Sequence, residues 1–222
     1  MRLAHYELSE PIEFAENEIN TIVIENPVFF RRIACELIDQ VNGKKGDFIL
    51  SEDNGIIDIA KTVDVISDLF RLSFDSRAIL SQVSQAVTIE SQSLTEQTES
   101  IRAGIVALAQ TITSKLDFNA SFNDLFDIGG VLKLLNFSVA AEEMTFCEKL
   151  IDYISFLNKY MKKRLFIIYH LKSCLDAKEL DEFYKIMQYK KINILLLESS
   201  CKEPIGENEK MRIIDKDLCE II

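Results

Sequence analysis

The chain has 222 residues, of which 48% are hydrophobic and 27% charged, and this composition is typical of a globular protein and excludes an intrinsically disordered one. Its formal charge of −11 argues against a protein that coats nucleic acid through many scattered cations. The charge does not exclude a protein that gathers its basic residues in one groove or channel.

The sequence gives no sign of export or membrane insertion. No apolar run is long enough to span a bilayer, and residues 1–7 lack the apolar stretch of a secretory signal. The five cysteines are odd in number and form no CxxC pair, which suits a reducing compartment. We therefore expect a cytoplasmic protein without membrane partners.

Residues 1 to about 73 read as mixed α/β. The β-branched run Thr21–Ile24 predicts a buried strand. Asn26 and Pro27 then combine a cap residue with a proline in the first turn, which predicts a helix that Gly43 ends. Further short strands are predicted at Asp47–Leu50 and Ile56–Ile59.

From about Ser76 to Asn136 the periodicity is helical. One helix carries an apolar face from Ile79 to Val87. The next helix places apolar residues at intervals of three, four and seven, namely Leu94, Ile101, Ile105, Leu108 and Ile112. This spacing approximates a heptad seam, which packs against a partner helix. The pattern fits packing within a helical subdomain and a self-association surface equally well.

Residues 144 to 222 return to α/β. A helix ends in Lys162–Arg164, the strand Leu165–Tyr169 follows, then a helix over Asp176–Gln188 and a strand over Ile192–Leu197. Apolar strands alternating with helices predict a parallel sheet covered on both faces. We thus predict an α/β head formed by residues 1–75 and 139–222, with an inserted all-helical arm over 76–138.

The predicted fold invites a search for catalytic motifs, and none is found. Gly43-Lys44-Lys45 lacks the first glycine and the Ser or Thr of a phosphate-binding loop, and no GxGxxG occurs. The two histidines, His5 and His170, stand without a nucleophile motif or zinc-ligand spacing. We expect no nucleotide cofactor and no enzymatic activity.

Two clusters of polar residues have competing interpretations. Oxygen ligands suited to a hard cation follow the second arm helix at Asp117, Asn119, Asn123, Asp124 and Asp127, although Asp and Asn are also ordinary cap and turn residues. A basic cluster lies at the C-terminal end of a helix of the head and consists of Lys159, Lys162, Lys163 and Arg164. It either binds a polyanion or complements the helix dipole.

Several segments resemble the small adaptation subunit of type II-A CRISPR systems, the accessory protein encoded beside the integrase genes and the large RNA-guided nuclease. The similar segments span nearly the whole chain: Leu8–Ile12, Asp68–Asp75, Phe146–Lys149, Tyr160–Ile167, Leu175–Leu180 and Ile194–Glu198. Around Phe118–Gly130, several positions that are acidic in the family are Asn, Ser or Gly here.

The resemblance implies a P-loop-ATPase-like head without the nucleotide loop, a helical arm and a ring-shaped homotetramer. It further implies binding of double-stranded DNA ends through lysines in the central hole, here Lys159, Lys162, Lys163 and Arg164. Calcium ions at Asp117, Asn119, Asp124 and Asp127 would support the ring. The role implied is spacer acquisition, together with the integrase subunits and the nuclease of the same system.

Two other functions remain open from the sequence. One is a protein-interaction scaffold of the adaptation complex that does not bind DNA, and the other is a degenerate nucleotide-dependent α/β enzyme.

Overall fold

A computed structural model describes residues 1–53, 55–141, 143–200, 206 and 208–221. The chain forms two compact units, one of residues 1–72 and 143–222 and the other of residues 73–142. The first, called the head below, is mixed α/β, and the second, called the arm, is helical, so the predicted fold class is confirmed. The sequence placed the boundaries at 75/76 and 138/139.

The strands all lie in the head: β1 (Arg2–Ala4), β2 (Ile12–Glu13), β3 (Ile19–Ile24), β4 (Ile49–Glu52), β5 (Gly55–Ile57), β6 (Val63–Ile66), β7 (Leu165–Tyr169), β8 (Asn193–Glu198), β9 (Glu209–Ile214) and β10 (Glu220–Ile221). The helices in chain order are α1 (Pro27–Val41), α2 (Ile59–Thr62), α3 (Arg77–Ser93), α4 (Thr95–Thr113), α5 (Ile128–Lys133), α6 (Phe146–Met161) and α7 (Ala177–Tyr189), of which α3 to α5 form the arm.

The main sheet of the head has the strand order β10-β9-β3-β8-β7-β6. Strands β9, β3, β8, β7 and β6 run parallel, and β10 pairs antiparallel with β9. Every residue of β3 and β7 is buried, because the helices of a parallel sheet cover both of its faces. The apolar runs at Thr21–Ile24 and Leu165–Tyr169 reflect this double burial.

A small antiparallel sheet, β2-β1-β4-β5, completes the head. Its residues Leu3, Ile12 and Leu50 share one apolar core with Phe29 and Ile33 of α1. The hydrophobic effect, at about 1.5–3 kcal/mol for a fully buried large side chain, therefore binds this sheet to α1.

Helix α1 begins where its local sequence predicts. The Asn26 side chain accepts hydrogen bonds from the backbone N–H groups of Val28 and Phe29, and Pro27 occupies the first turn. Beyond the helix, Gly43 adopts a φ of +83°, which glycine tolerates without strain.

The prediction of a strand over Ile56–Ile59 was wrong at its end. The strand stops at Ile57, and the Asp58 side chain accepts a hydrogen bond from the Lys61 N–H and starts α2. An N-cap competes with strand pairing at this position. The next strand, β6, was not predicted, because it is short and contains Asp64.

Helices of the arm differ in how much they bury. Helix α3 buries Ile79 and Ser91, whereas α4 has no buried residue. The predicted stripe on α4 is about half exposed at Leu94, Ile101, Leu108 and Ile112. None of the helices in the described parts of the chain could cross a membrane, since none is both long and apolar enough.

Candidate nucleic-acid interface

Helix α6 carries the basic cluster at its end. Thr145 and Glu148 form a capping box at the start of the helix, and Leu150, Ile154 and Leu157 are buried on its inner face. Lys162 ends the helix with a left-handed φ of 59°, so the chain turns sharply into β7. The cationic side chains at this turn make different contacts.

Lys163 is engaged within the head. Its Nζ donates to the backbone carbonyl oxygens of Ala60 and Val63, both at 2.7 Å. Burial lowers the pKa of the Lys163 amine, and the carboxylates of Asp64 and Asp58 oppose that shift. The Lys163 amine therefore caps the C-terminal end of α2 instead of pointing into solvent.

Arg164 is also paired. Its guanidinium binds both carboxylate oxygens of Glu52 on β4, with Nη1 2.8 Å from Oε2. This bidentate hydrogen bonding raises the pKa of Arg164 and lowers that of Glu52. The pair links the small sheet to the start of β7.

Lys159 and Lys162 remain exposed. The Lys159 Nζ lies 4.9 Å from the centre of the Tyr160 ring, within cation–π range. The Lys162 Nζ donates to the backbone carbonyl of Lys159 at 3.0 Å. Of the four predicted DNA-binding residues, Lys159 and Lys162 are thus exposed, Lys163 is half-buried against backbone carbonyls, and Arg164, although exposed, is paired with Glu52.

The carboxyl edge of the main sheet is where α/β proteins usually bind ligands. Only Glu25 and Asn26 connect β3 to α1, and the Asn26 side chain occupies the first N–H groups of the helix. Those N–H groups would otherwise cradle a phosphate. The connection is too short and too fully hydrogen-bonded to act as a phosphate loop.

His170 lies at the same edge, directly after β7. Its ring stacks on Phe30 at 5.1 Å, and its Nδ1 is 3.9 Å from Glu198 Oε2, beyond hydrogen-bond distance. Glu198 Oε1 accepts the Lys172 N–H at 2.9 Å. The group contains no activated nucleophile, so we assign it no chemistry.

A buried polar network lies beneath α7, and sequence reasoning missed it. The Lys172 Nζ is 2.7 Å from Glu209 Oε1, and the Thr21 hydroxyl donates to the same oxygen at 2.7 Å. Burial and the nearby carboxylates of Glu209 and Glu198 raise the pKa of Tyr184. The only signal in the sequence was Glu198, which follows an apolar strand. These mutual contacts make the network structural.

The residues predicted to bind calcium do not converge. Asp117, Asp124 and Asp127 are exposed and form no group of metal-ligating atoms within the described parts of the chain. Asp127 accepts the Gly129 N–H as the cap of α5, and Asn123 accepts the Leu125 N–H. Asn119 is exposed as well. Within the described parts of the chain these aspartates therefore form no ready-made group of acidic ligands, and the calcium site stays a prediction.

Comparison with known structures supports the fold. Stu0660 of Streptococcus thermophilus matches with a TM-score of 0.57 at 14% identity, covering 97% of this chain and 74% of that one, which shows a shared fold. CbiO1 of Clostridium perfringens, part of an ABC transporter complex, matches with a TM-score of 0.43 at 16% identity, covering 86% of this chain and 70% of that one. No curated protein sequence matches significantly.

The model of the CRISPR-associated protein family Cas_Csn2 matches residues 40–218. The matched region includes the whole arm, α6 with its basic end, and strands β7 to β9. The resemblance noted in the sequence is thereby confirmed, and the chain belongs to the Cas_Csn2 family of CRISPR-associated proteins.

Proposed function

We propose that the protein is a non-catalytic homotetrameric ring that binds double-stranded DNA ends and supports spacer acquisition in CRISPR immunity. Its partners would be the integrase subunits and the RNA-guided nuclease of the same system. The observation that carries the proposal is the family match, which spans the arm and the basic end of α6.

A non-catalytic role is supported by the carboxyl edge of the sheet. The position that a phosphate loop would take is occupied by the capped turn Glu25–Asn26. This turn disfavours the degenerate nucleotide-dependent enzyme. Binding of DNA would then have to rest on cationic contacts to phosphates.

For those contacts we propose Lys159 and Lys162 first. Both are exposed, whereas the Lys163 amine is bound to backbone carbonyls inside the head and the exposed Arg164 guanidinium is already paired with Glu52. A local pair of lysines can attract a phosphate backbone even in an acidic protein, because the Debye length at physiological salt is only about 8 Å. More distant carboxylates are largely screened over such lengths.

The alternative, a scaffold without DNA binding, is favoured by the arm. Helix α4 buries none of its residues and exposes large apolar side chains, as a docking surface for another protein would. The same face of α4 would also form contacts between the subunits of the proposed ring. The two functions therefore differ in DNA binding and not in the use of the arm.

The proposal is tested with linear and relaxed circular DNA of one length and sequence. A closed ring can be threaded only from a free end, so we expect the purified protein to retard linear DNA and to bind the circle at least about tenfold more weakly. Linear DNA with both ends blocked by bulky caps is the matched control and should behave like the circle. Equal retardation of all three would contradict the ring, and no retardation of any would favour the scaffold.

A further inference from the structure

Three residues far apart in sequence meet between α1 and the small sheet. His5 follows β1, Glu36 lies on α1, and Asp47 precedes β4. One ligand atom from each, the imidazole nitrogen and two carboxylate oxygens, lies within 4.8 Å of the others. Such a mixed nitrogen and oxygen set is a recognised way to hold a transition metal.

The His5 ring is fixed and points into this group. Its side chain is fully buried, and its ring packs 4.6 Å from that of Tyr6 and 4.4 Å from that of Phe48. Among the described residues, its Nε2 makes no well-formed hydrogen bond, although Glu36 Oε2 lies 3.4 Å away. A buried polar atom without a partner is costly and calls for an explanation.

Glu36 is oriented for a ligand by its neighbour. The backbone N–H of Asp47 donates to Glu36 Oε1 at 2.6 Å, and the other oxygen, Oε2, faces His5 Nε2 at 3.4 Å. Two ligands bound at about 2.1 Å to a tetrahedral zinc ion are separated by about 3.4 Å. The spacing of these two atoms is therefore that of two ligands on one ion.

We propose that His5 Nε2, Glu36 Oε2 and the Asp47 carboxylate bind one Zn²⁺ ion, with water in the fourth position. The imidazole selects zinc over calcium and magnesium, which prefer oxygen ligands. Asp47 is exposed, so the ion can reach the group from solvent. The bound ion would join α1 to the small sheet and stabilise the head.

Binding requires one local change. His5 Nδ1 accepts the Glu7 N–H at 3.3 Å, and an imidazole whose Nδ1 is an acceptor carries its hydrogen on Nε2. When zinc takes Nε2, that proton is lost and Nδ1 gains one, with no net release. The Glu7 N–H then loses this acceptor, whose hydrogen bond is already long at 3.3 Å.

The test uses the full chain stripped of metal and titrated with Zn²⁺ against a chromophoric chelator. We expect one ion per chain, with affinity reduced at least about tenfold by Glu36→Gln or Asp47→Asn. Asp39→Asn, which removes another α1 carboxylate outside the group, is the control and should bind normally. The His170→Gln variant, which leaves His5 as the only histidine, should also bind normally.

Nitrogen NMR of that single-histidine variant provides a second readout. His5 should change from the Nε2–H to the Nδ1–H form on saturation with zinc. The site would be overturned by equal zinc affinity in the wild type and Glu36→Gln, by calcium or magnesium binding as tightly as zinc, or by an unchanged His5 tautomer. His5 itself is left intact, because replacing a buried ring could unfold the head.

Discussion

Lys163 belongs to the basic cluster by sequence, yet its amine donates to the carbonyl oxygens of Ala60 and Val63. We predict that Lys163→Met lowers the free energy of unfolding by about 1–3 kcal/mol, because both carbonyls lose a donor in a half-buried place. Urea unfolding followed by circular dichroism measures this change.

Lys162→Ala is the matched control for Lys163→Met. Lys162 is exposed, so its replacement should change the free energy of unfolding by no more than about 0.5 kcal/mol. Equal destabilisation by the two substitutions would contradict the structural role given to Lys163. A DNA-binding test that replaced both residues together would mix affinity with stability.

At the scale of elements, the starts of helices could be predicted from the sequence, because they depend on hydrogen bonds between neighbouring residues. Asn26 with Pro27 and Asp176 mark the starts of α1 and α7 because their side chains cap the nearest N–H groups. Strands β6 and β9 were missed, because both contain charged residues and their strand structure depends on their neighbours in the sheet.

The candidate site was predicted less well than the fold. The contacts of Lys163 reach across 103 and 100 residues, and those of Arg164 with Glu52 across 112. A sequence pattern shows that the cationic residues are adjacent, but it does not show which of them form contacts within the folded protein. The grouping of His5 with Glu36 and Asp47 had no sequence signal for the same reason.

The apolar stripe of α4 bears on self-association. Ile101 and Leu108 are 50% and 61% exposed and lie one heptad apart. We predict that Ile101→Glu with Leu108→Glu reduces the assembly to smaller species, since each apolar side chain buried at an interface is worth about 1.5–3 kcal/mol. Light scattering measures the mass, and circular dichroism checks that the helix persists.

Gln110→Glu with Ser100→Glu is the control for the stripe, because it adds the same charge to exposed α4 positions outside the stripe. This variant should keep the mass of the wild type. If both variants stay at the same mass, α4 does not hold the assembly together. A wild-type chain that is monomeric at tens of micromolar would contradict the ring as well.

At the scale of the whole molecule, 36 acidic residues face 25 basic ones. If the protein binds DNA as proposed, the DNA must lie where cations are locally in excess, because the net negative charge opposes its approach elsewhere on the surface. The binding constant should fall steeply with salt, because each phosphate contact releases a condensed counterion. The slope of log K against log salt therefore measures how many lysines and arginines contact phosphate.

The last prediction uses that count to locate the DNA. Replacing Lys159 and Lys162 by Ala should weaken binding to linear DNA and reduce the slope of log K against log salt by about 0.9 for each lysine that contacts a phosphate. Fluorescence anisotropy from 50 to 200 mM salt measures the slope. The control replaces Lys178 and Lys185 by Ala; both are exposed on α7, and the change alters the net charge by the same amount. An equal loss in both variants would mean that overall charge, and not the end of α6, governs DNA binding, whereas an unchanged slope in the first would place the DNA elsewhere on the protein.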